Sequence, residues 1–171
     1  MKIELAKTEV IHFVGIGGIG MSGLSLIMKG EGCKVQGSDL SLNKNIERLK
    51  KEKIKIFIGQ RKQNLKNATI VVISSAIKKN NLEIIEAKRK NLPIITRGKM
   101  LAHIVSLTKN IVVVGSHGKT TTTSLISSIF EKTKLDPTII NGGVINSIKN
   151  TAKLGKSDWS ILEADESDGS F

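Results

Sequence analysis

Twice in this chain a short apolar run breaks into a glycine-rich turn and resumes as a helical pattern. Residues 11–14 lead into Gly15-Ile16-Gly17-Gly18-Ile19-Gly20 and a helical stretch over 21–29. Residues 111–114 lead into Gly115-Ser116-His117-Gly118-Lys119-Thr120-Thr121 and a helix over 120–132. A strand that feeds a helix through glycines leaves its sheet at the carboxyl end, where backbone N–H groups converge on one point. Two such junctions in 171 residues commit the chain to βαβ units and parallel sheets.

The remaining pattern agrees. Residues 34–37, 54–58, 69–74, 94–95, 138–140 and 159–162 predict strands, and Pro93 suits only the start of one. Residues 43–51, 81–90 and 97–107 predict helices, and Thr108-Lys109-Asn110 reads as a polar break. Charge divides at the same place: residues 1–109 hold 21 basic and 8 acidic side chains, residues 110–171 hold 6 and 7. The expected organisation is therefore a Rossmann-like domain over 1–108, followed by the beginning of a P-loop-type α/β domain over 109–171.

The net charge of +12 raises nucleic acid as a partner, but only Arg48, Arg61, Arg89 and Arg97 are arginine and aromatic residues make up 3%. Base and phosphate readers favour arginine forks and stacking platforms, so a solvated lysine surface is expected and nucleic acid is not. A 39% hydrophobic content supports a packed core. No apolar run approaches the roughly 18 residues of a membrane span, and the start lacks a secretory pattern. The single cysteine, Cys33, cannot form an intramolecular disulfide. A cytoplasmic protein without a membrane partner is expected; oligomeric state is not readable.

Each turn suits a phosphate. The first matches G-x-G-x-x-G, with Asp39 ending the next strand 24 residues after Gly15, in reach of a ribose. NAD, NADP and a UDP-sugar satisfy the same physics. The second departs from the full P-loop pattern, which would need glycine where Val113 stands. The shorter G-x-x-G-K-T-T keeps the chemistry: N–H groups face phosphates, Lys119 supplies a point charge and the Thr120 hydroxyl reaches Mg²⁺. A carboxylate from a neighbouring strand end is also needed, and Glu163 stands where the 159–162 run stops. Asp165, Glu166 and Asp168 follow, as supporting partners or as an acidic loop. His117 is expected to face solvent, and His12 and His103 to be structural.

The residues His12–Gly23, Gly37-Ser38-Asp39, Ser74-Ser75-Ala76-Ile77, 115–122, Asn141-Gly142-Gly143 and 163–171 together resemble the Mur ligase family, in order along the chain. The resemblance implies a three-domain, ATP-dependent carboxylate–amine ligase of peptidoglycan synthesis, of which this chain would be an N-terminal part, inactive alone. It implies UDP-N-acetylmuramate and L-alanine as substrates and ATP with Mg²⁺ as cofactors. Gly15, Gly17, Gly18, Ile19, Ser38, Asp39, Ser75 and Ala76 would then contact the UDP-sugar. Gly115, Ser116, His117, Gly118, Lys119, Thr120 and Thr121 would hold ATP, with Lys119 on the transferring phosphates and Thr120 and Glu163 on Mg²⁺. A sister ligase that recycles murein tripeptide shares the second turn, but usually carries Cys and bulkier residues where this chain has Gly17-Gly18-Ile19-Gly20. Gly98-Lys99 replaces the common Ala-Glu, and Ser116 the usual Thr. A non-catalytic nucleotide-binding remnant and an NAD(P)-dependent oxidoreductase are the alternatives from other classes.

Overall fold

The computed structural model describes residues 8–133, 135–145 and 150–164. In β1 (Val10–Val14) the side chains alternate between faces, and residues 11–14 are buried on both. β1 pairs in parallel with β2 (Lys34–Asp39) on one side and β4 (Ile70–Ile73) on the other. β3 (Lys55–Ile58) and β5 (Ile94–Thr96) complete a wholly parallel sheet in the order β3-β2-β1-β4-β5. The order reverses beside β1, which opens a crevice at the carboxyl ends of β1 and β4.

Ile11 and Phe13 pack with Met21, Leu24 and Ile27 of α1 (Ile19–Gly30) and with Met100, Leu101 and Ile104 of α4 (Arg97–Ser106). α2 (Lys44–Lys51) is capped by Asn43, whose Oδ1 accepts from Ile46 N. The opposite face is thinner: Val14 and Val71 meet Leu65, Ala68 and Ala87. A 3-10 turn (Lys62–Leu65) and α3 (Leu82–Arg89) cover it.

A second sheet has the order β6-β9-β7-β8, from β6 (Lys109–Val113), β9 (Trp159–Glu163), β7 (Thr138–Ile145) and β8 (Asn150–Lys153). β6, β9 and β7 run parallel and β8 is antiparallel. α5 (Lys119–Glu131) follows β6 across the second glycine turn. The expected α/β class and parallel sheets are present. The polar break at 108–110 is not: Lys109 and Asn110 open β6, paired with Trp159 and Ser160. β6 is an edge strand, and an edge tolerates polar side chains; Lys109 ion-pairs with Asp158 at 3.0 Å. β8 was not legible as a strand in the sequence.

α1 serves both sheets. It touches β7 and β8, and Ile140, Ala152 and Leu162 join the apolar cluster that contains Phe13 and Leu24. At its end, a Cβ added to Gly30 would strike the Leu154 side chain.

Candidate functional site

The first turn is held by the end of β2. Gly15 N and Ile16 N both donate to Ser38 O, at 2.8 and 3.0 Å, and Gly18 N donates to Gly15 O at 3.1 Å. Gly17 N donates to Asp39 Oδ2 at 2.8 Å, while Asp39 Oδ1 accepts from Leu40 N at 2.8 Å. Asn45 and Asn43 donate to Gly17 O at 2.8 and 3.3 Å. The sequence suggests that Gly15, Gly17 and Gly18 offer N–H groups to a diphosphate, but here those groups are bonded within the protein. The donors facing outward come one step later. The first intrahelical bond of α1 is Ser22 N to Gly18 O, which leaves the N–H groups of Ile19, Gly20 and Met21 at the positive end of the helix. Asp39, expected near a ribose, instead clamps the turn through Oδ2 on Gly17 N, while its Oδ1 accepts from the neighbouring Leu40 N.

The glycines make room for the protein itself. A Cβ on Gly15, whose φ is +77°, would lie 3.2 Å from Ile77 Cδ1, and one on Gly20 would strike the Arg97 guanidinium. Ile77 and Arg97 also line a cavity of about 580 Å³ at the carboxyl ends of β4 and β5, together with Ser74, Ser75, Lys88 and Thr96. Ser75 is thus at the cavity, and Ala76 lies in the exposed turn beside it. Ser38 is not: it is fully buried, and its hydroxyl donates to Glu83 at 2.6 Å. Lys99 is exposed on the first turn of α4, outside the cavity lining. Arg97, Lys88, Asn43 and Asn45 were not singled out from sequence. Arg97 had a signal, because it follows a strand end as Ser75 does.

The second turn has two glycines in backbone conformations that a side chain would strain. Gly115 has φ +148°, and Gly118, the N-cap of α5, has φ +76° in the left-handed region. Lys119 Nζ donates to Gly115 O at 2.6 Å, folding the ammonium back over the loop. Thr120 Oγ1 donates to Glu163 Oε2 at 3.0 Å. That contact exists because β6 and β9 are neighbours in register, with Val113 beside Glu163. Ser116, His117 and Thr121 are exposed. Hydroxyl and carboxylate oxygens are a hard donor set that suits Mg²⁺, an ion that takes one or two protein ligands and completes its shell with water and phosphate. Among the described residues no group of three His, Cys, Asp or Glu side chains is placed to hold a metal. Asp165, Glu166 and Asp168 lie outside the described residues. A separate hollow of about 540 Å³ between α1 and β8 is remote from both turns.

A model described as the Mur ligase family, catalytic domain, matches residues 10–109. The whole chain is 80% identical over 171 residues to a UDP-N-acetylmuramate–L-alanine ligase of Pelagibacter ubique, covering 37% of that protein. It is 56% identical over 173 residues to the ligase of that name in Rickettsia prowazekii, covering 99% of this chain and 35% of that one. The chain therefore spans little over a third of the length of these curated relatives. Among solved structures, the UDP-N-acetylmuramate–alanine ligase of Thermotoga maritima is similar with a TM-score of 0.82 and 30% identity, over 90% of this chain and 36% of that one. A UDP-N-acetylmuramate:L-alanyl-γ-D-glutamyl-meso-diaminopimelate ligase of Neisseria has a TM-score of 0.84 and 29% identity, over 93% and 53%.

Proposed function

The chain belongs to the Mur ligase family, and from that premise we propose that it builds the sugar-nucleotide and nucleotide-phosphate sites of an ATP-dependent ligase joining L-alanine to UDP-N-acetylmuramate. The contact of Thr120 with Glu163 beside Lys119 carries this choice. A dinucleotide-dependent oxidoreductase needs the first turn and has no use for a lysine, hydroxyl and carboxylate gathered at a second. Relatives at 80% and 56% identity, both named for L-alanine, favour that amino acid over a tripeptide.

The same proposal divides the chain at residues 108 and 109. In the first part the Ile19, Gly20 and Met21 N–H groups and the Arg97 side chain meet the diphosphate of the UDP-sugar. Ser75 and Ala76 border it at the end of β4. Gly15, Gly17, Gly18, Ser38 and Asp39 hold the turn in shape. In the second part the loop from Gly115 to Gly118, with Ser116, His117 and Thr121 at its rim, receives the phosphates of ATP. Lys119 leaves the Gly115 carbonyl for the transferring phosphoryl group, and Thr120 and Glu163 hold Mg²⁺. Bound there, Mg²⁺ would neutralise phosphate charge.

The muramoyl carboxylate oxygen attacks the γ-phosphorus and ADP leaves. The alanine amine then attacks the acyl carbon of the resulting acyl phosphate, and inorganic phosphate leaves. Side chains of the protein form no covalent bond in either step, so their contribution is orientation and charge, and orientation alone is worth roughly 7–11 kcal/mol of barrier. The reaction belongs in the cytoplasm, where thiols such as Cys33 stay reduced. Among the described residues no helix is long and apolar enough to cross a membrane.

A thermal-shift titration with separate additions tests the proposal. UDP-N-acetylmuramate and UDP should each raise the melting temperature and NADH should not. Stabilisation by NADH, or by neither uridine ligand, would refute it.

A further inference from the structure

Behind the first turn, on the thinly covered face of the first sheet, five polar side chains are buried together. His12 and Ser38 are fully buried, as is Glu83, and Gln36 and Asn64 nearly so. They come from β1, β2, the 3-10 turn and α3. Gln36 Nε2 donates to Asn64 O at 2.9 Å and lies 3.1 Å from His12 Nδ1. With Gln36 donating, His12 Nδ1 is the acceptor, and its proton sits on Nε2, 3.4 Å from Glu83 Oε1. Glu83 also accepts from Asn64 Nδ2 at 2.7 Å and Ser38 Oγ at 2.6 Å. Each carboxylate oxygen of Glu83 thus accepts one side-chain hydrogen bond, while the buried His12 Nε2 stands 3.4 Å away without a hydrogen-bond partner.

Stability alone does not call for such a cluster, since apolar side chains of similar volume hold a buried face as well or better. Its connections lead to the first turn by two routes. One runs from Glu83 to Ser38, whose carbonyl receives Gly15 N and Ile16 N. The other runs from Glu83 through Asn64 Nδ2 to Gly59 O at 2.8 Å, and Gly59 N donates to Asp39 O at 2.8 Å. Asp39 in turn holds Gly17 N. On its other side Glu83 belongs to the first turn of α3, anchored by the Asn81 cap, and Ile84 and Lys88 of the same helix line the cavity of about 580 Å³.

We propose that Glu83 is a positioning residue for the sugar-nucleotide site: it ties the cavity wall made by α3 to the two residues that shape the glycine turn, and so sets the gap the diphosphate enters. This rests on the assignment of that cavity to a UDP-sugar. The test pairs UDP titration by calorimetry with amide hydrogen exchange at Gly15, Ile16 and Gly17. Glu83→Gln keeps one accepting oxygen and replaces the other with an NH2 donor, which is set against either the Ser38 or the Asn64 donor. It should weaken UDP binding about tenfold or more and speed exchange at the three amides by a similar factor, relative to amides inside α1. Ser38→Ala, which leaves the Asn64 and His12 contacts in place, should move both readouts the same way by a smaller factor, and it decides the matter if Glu83→Gln does not fold. Glu86→Gln, on the same helix but paired with Arg89, should move neither. A Glu83→Gln protein that melts lower yet keeps wild-type UDP affinity and wild-type exchange overturns the proposal. Should the wild-type chain bind no UDP, the ligand assignment falls, and exchange at the three amides alone then decides whether Glu83 holds the turn.

Discussion

Gly17→Ala is the smallest change that probes how the first turn is held. A Cβ there would lie 2.6 Å from Asn43 Nδ2, 2.9 Å from Asp39 Oδ2 and 3.0 Å from Ile46 Cδ1. Ile46 is fully buried and has no room to retreat. The two polar side chains can swing away, but each is occupied. Displacing Asp39 gives up a hydrogen bond from Gly17 N to a carboxylate, about 1.5–3 kcal/mol. Displacing Asn43 uncaps α2, about 0.5–2 kcal/mol. The two losses overlap, so a destabilisation of about 2–4 kcal/mol is expected, from a total on the order of 5–15. Urea unfolding followed by circular dichroism should show a lower midpoint at unchanged slope. In an Asp39→Ala background the same substitution should cost less, because one of the two displaced contacts is already gone. A Gly17→Ala protein within about 0.5 kcal/mol of wild type, the range of an ordinary surface change, would refute the clamp. The geometry also changes what a larger residue does here: the missing side chain would point at Asn43 and Asp39, so Gly17→Val acts on a UDP ligand through the displaced turn.

Two other outcomes follow from single contacts. Lys119→Ala removes one hydrogen bond, to Gly115 O, and should change stability by only about 1 kcal/mol while abolishing the thermal stabilisation given by MgATP; an undiminished MgATP shift would remove Lys119 from the phosphate site. Burial holds the His103 imidazole below its ordinary value, so the unfolded chain takes up a proton at higher pH than the folded one. Stability should therefore fall as pH drops through about 6.5, and urea midpoints at pH 7.5 and 5.5 should lie closer together in His103→Gln than in wild type; an equal separation would show that His103 is not the group responsible.

Strand-end positions were the legible part of the site. Alternating apolar runs and glycine turns located β1, α1, β6 and α5, and once Glu163 was recognised as a strand-end acid, its meeting with Thr120 needed only that β6 and β9 be neighbours. Polar partners set by sheet order were not legible. Gln36 and Asn64 come together through the 3-10 turn, which has no hydrophobic period to betray it. Glu83 looks like a solvent-facing acid in the first turn of a helix, and the helix is rotated so that Glu83 and Ile84 go inward while Leu82 and Ile85 stay 49% and 44% exposed. Lys109 and Asn110 misled because polarity marks a loop only where both neighbours of a strand are occupied, and β6 has one.

α1 is 12 residues long, a rod of roughly 18 Å at 1.5 Å per residue. One tip presents the N–H groups of Ile19, Gly20 and Met21, and the other, Gly30, lies beneath Leu154, which directly follows β8 of the second sheet. The rod cannot pivot at one tip and stay still at the other. Any tilt of the second sheet, which carries Glu163 in β9, against α1 also re-aims those N–H donors at the first turn, and whatever wedges the donors bears on the second sheet in turn. The first glycine turn and the second sheet thus hang from a single beam, with the absent side chain of Gly30 setting how closely its far tip can seat.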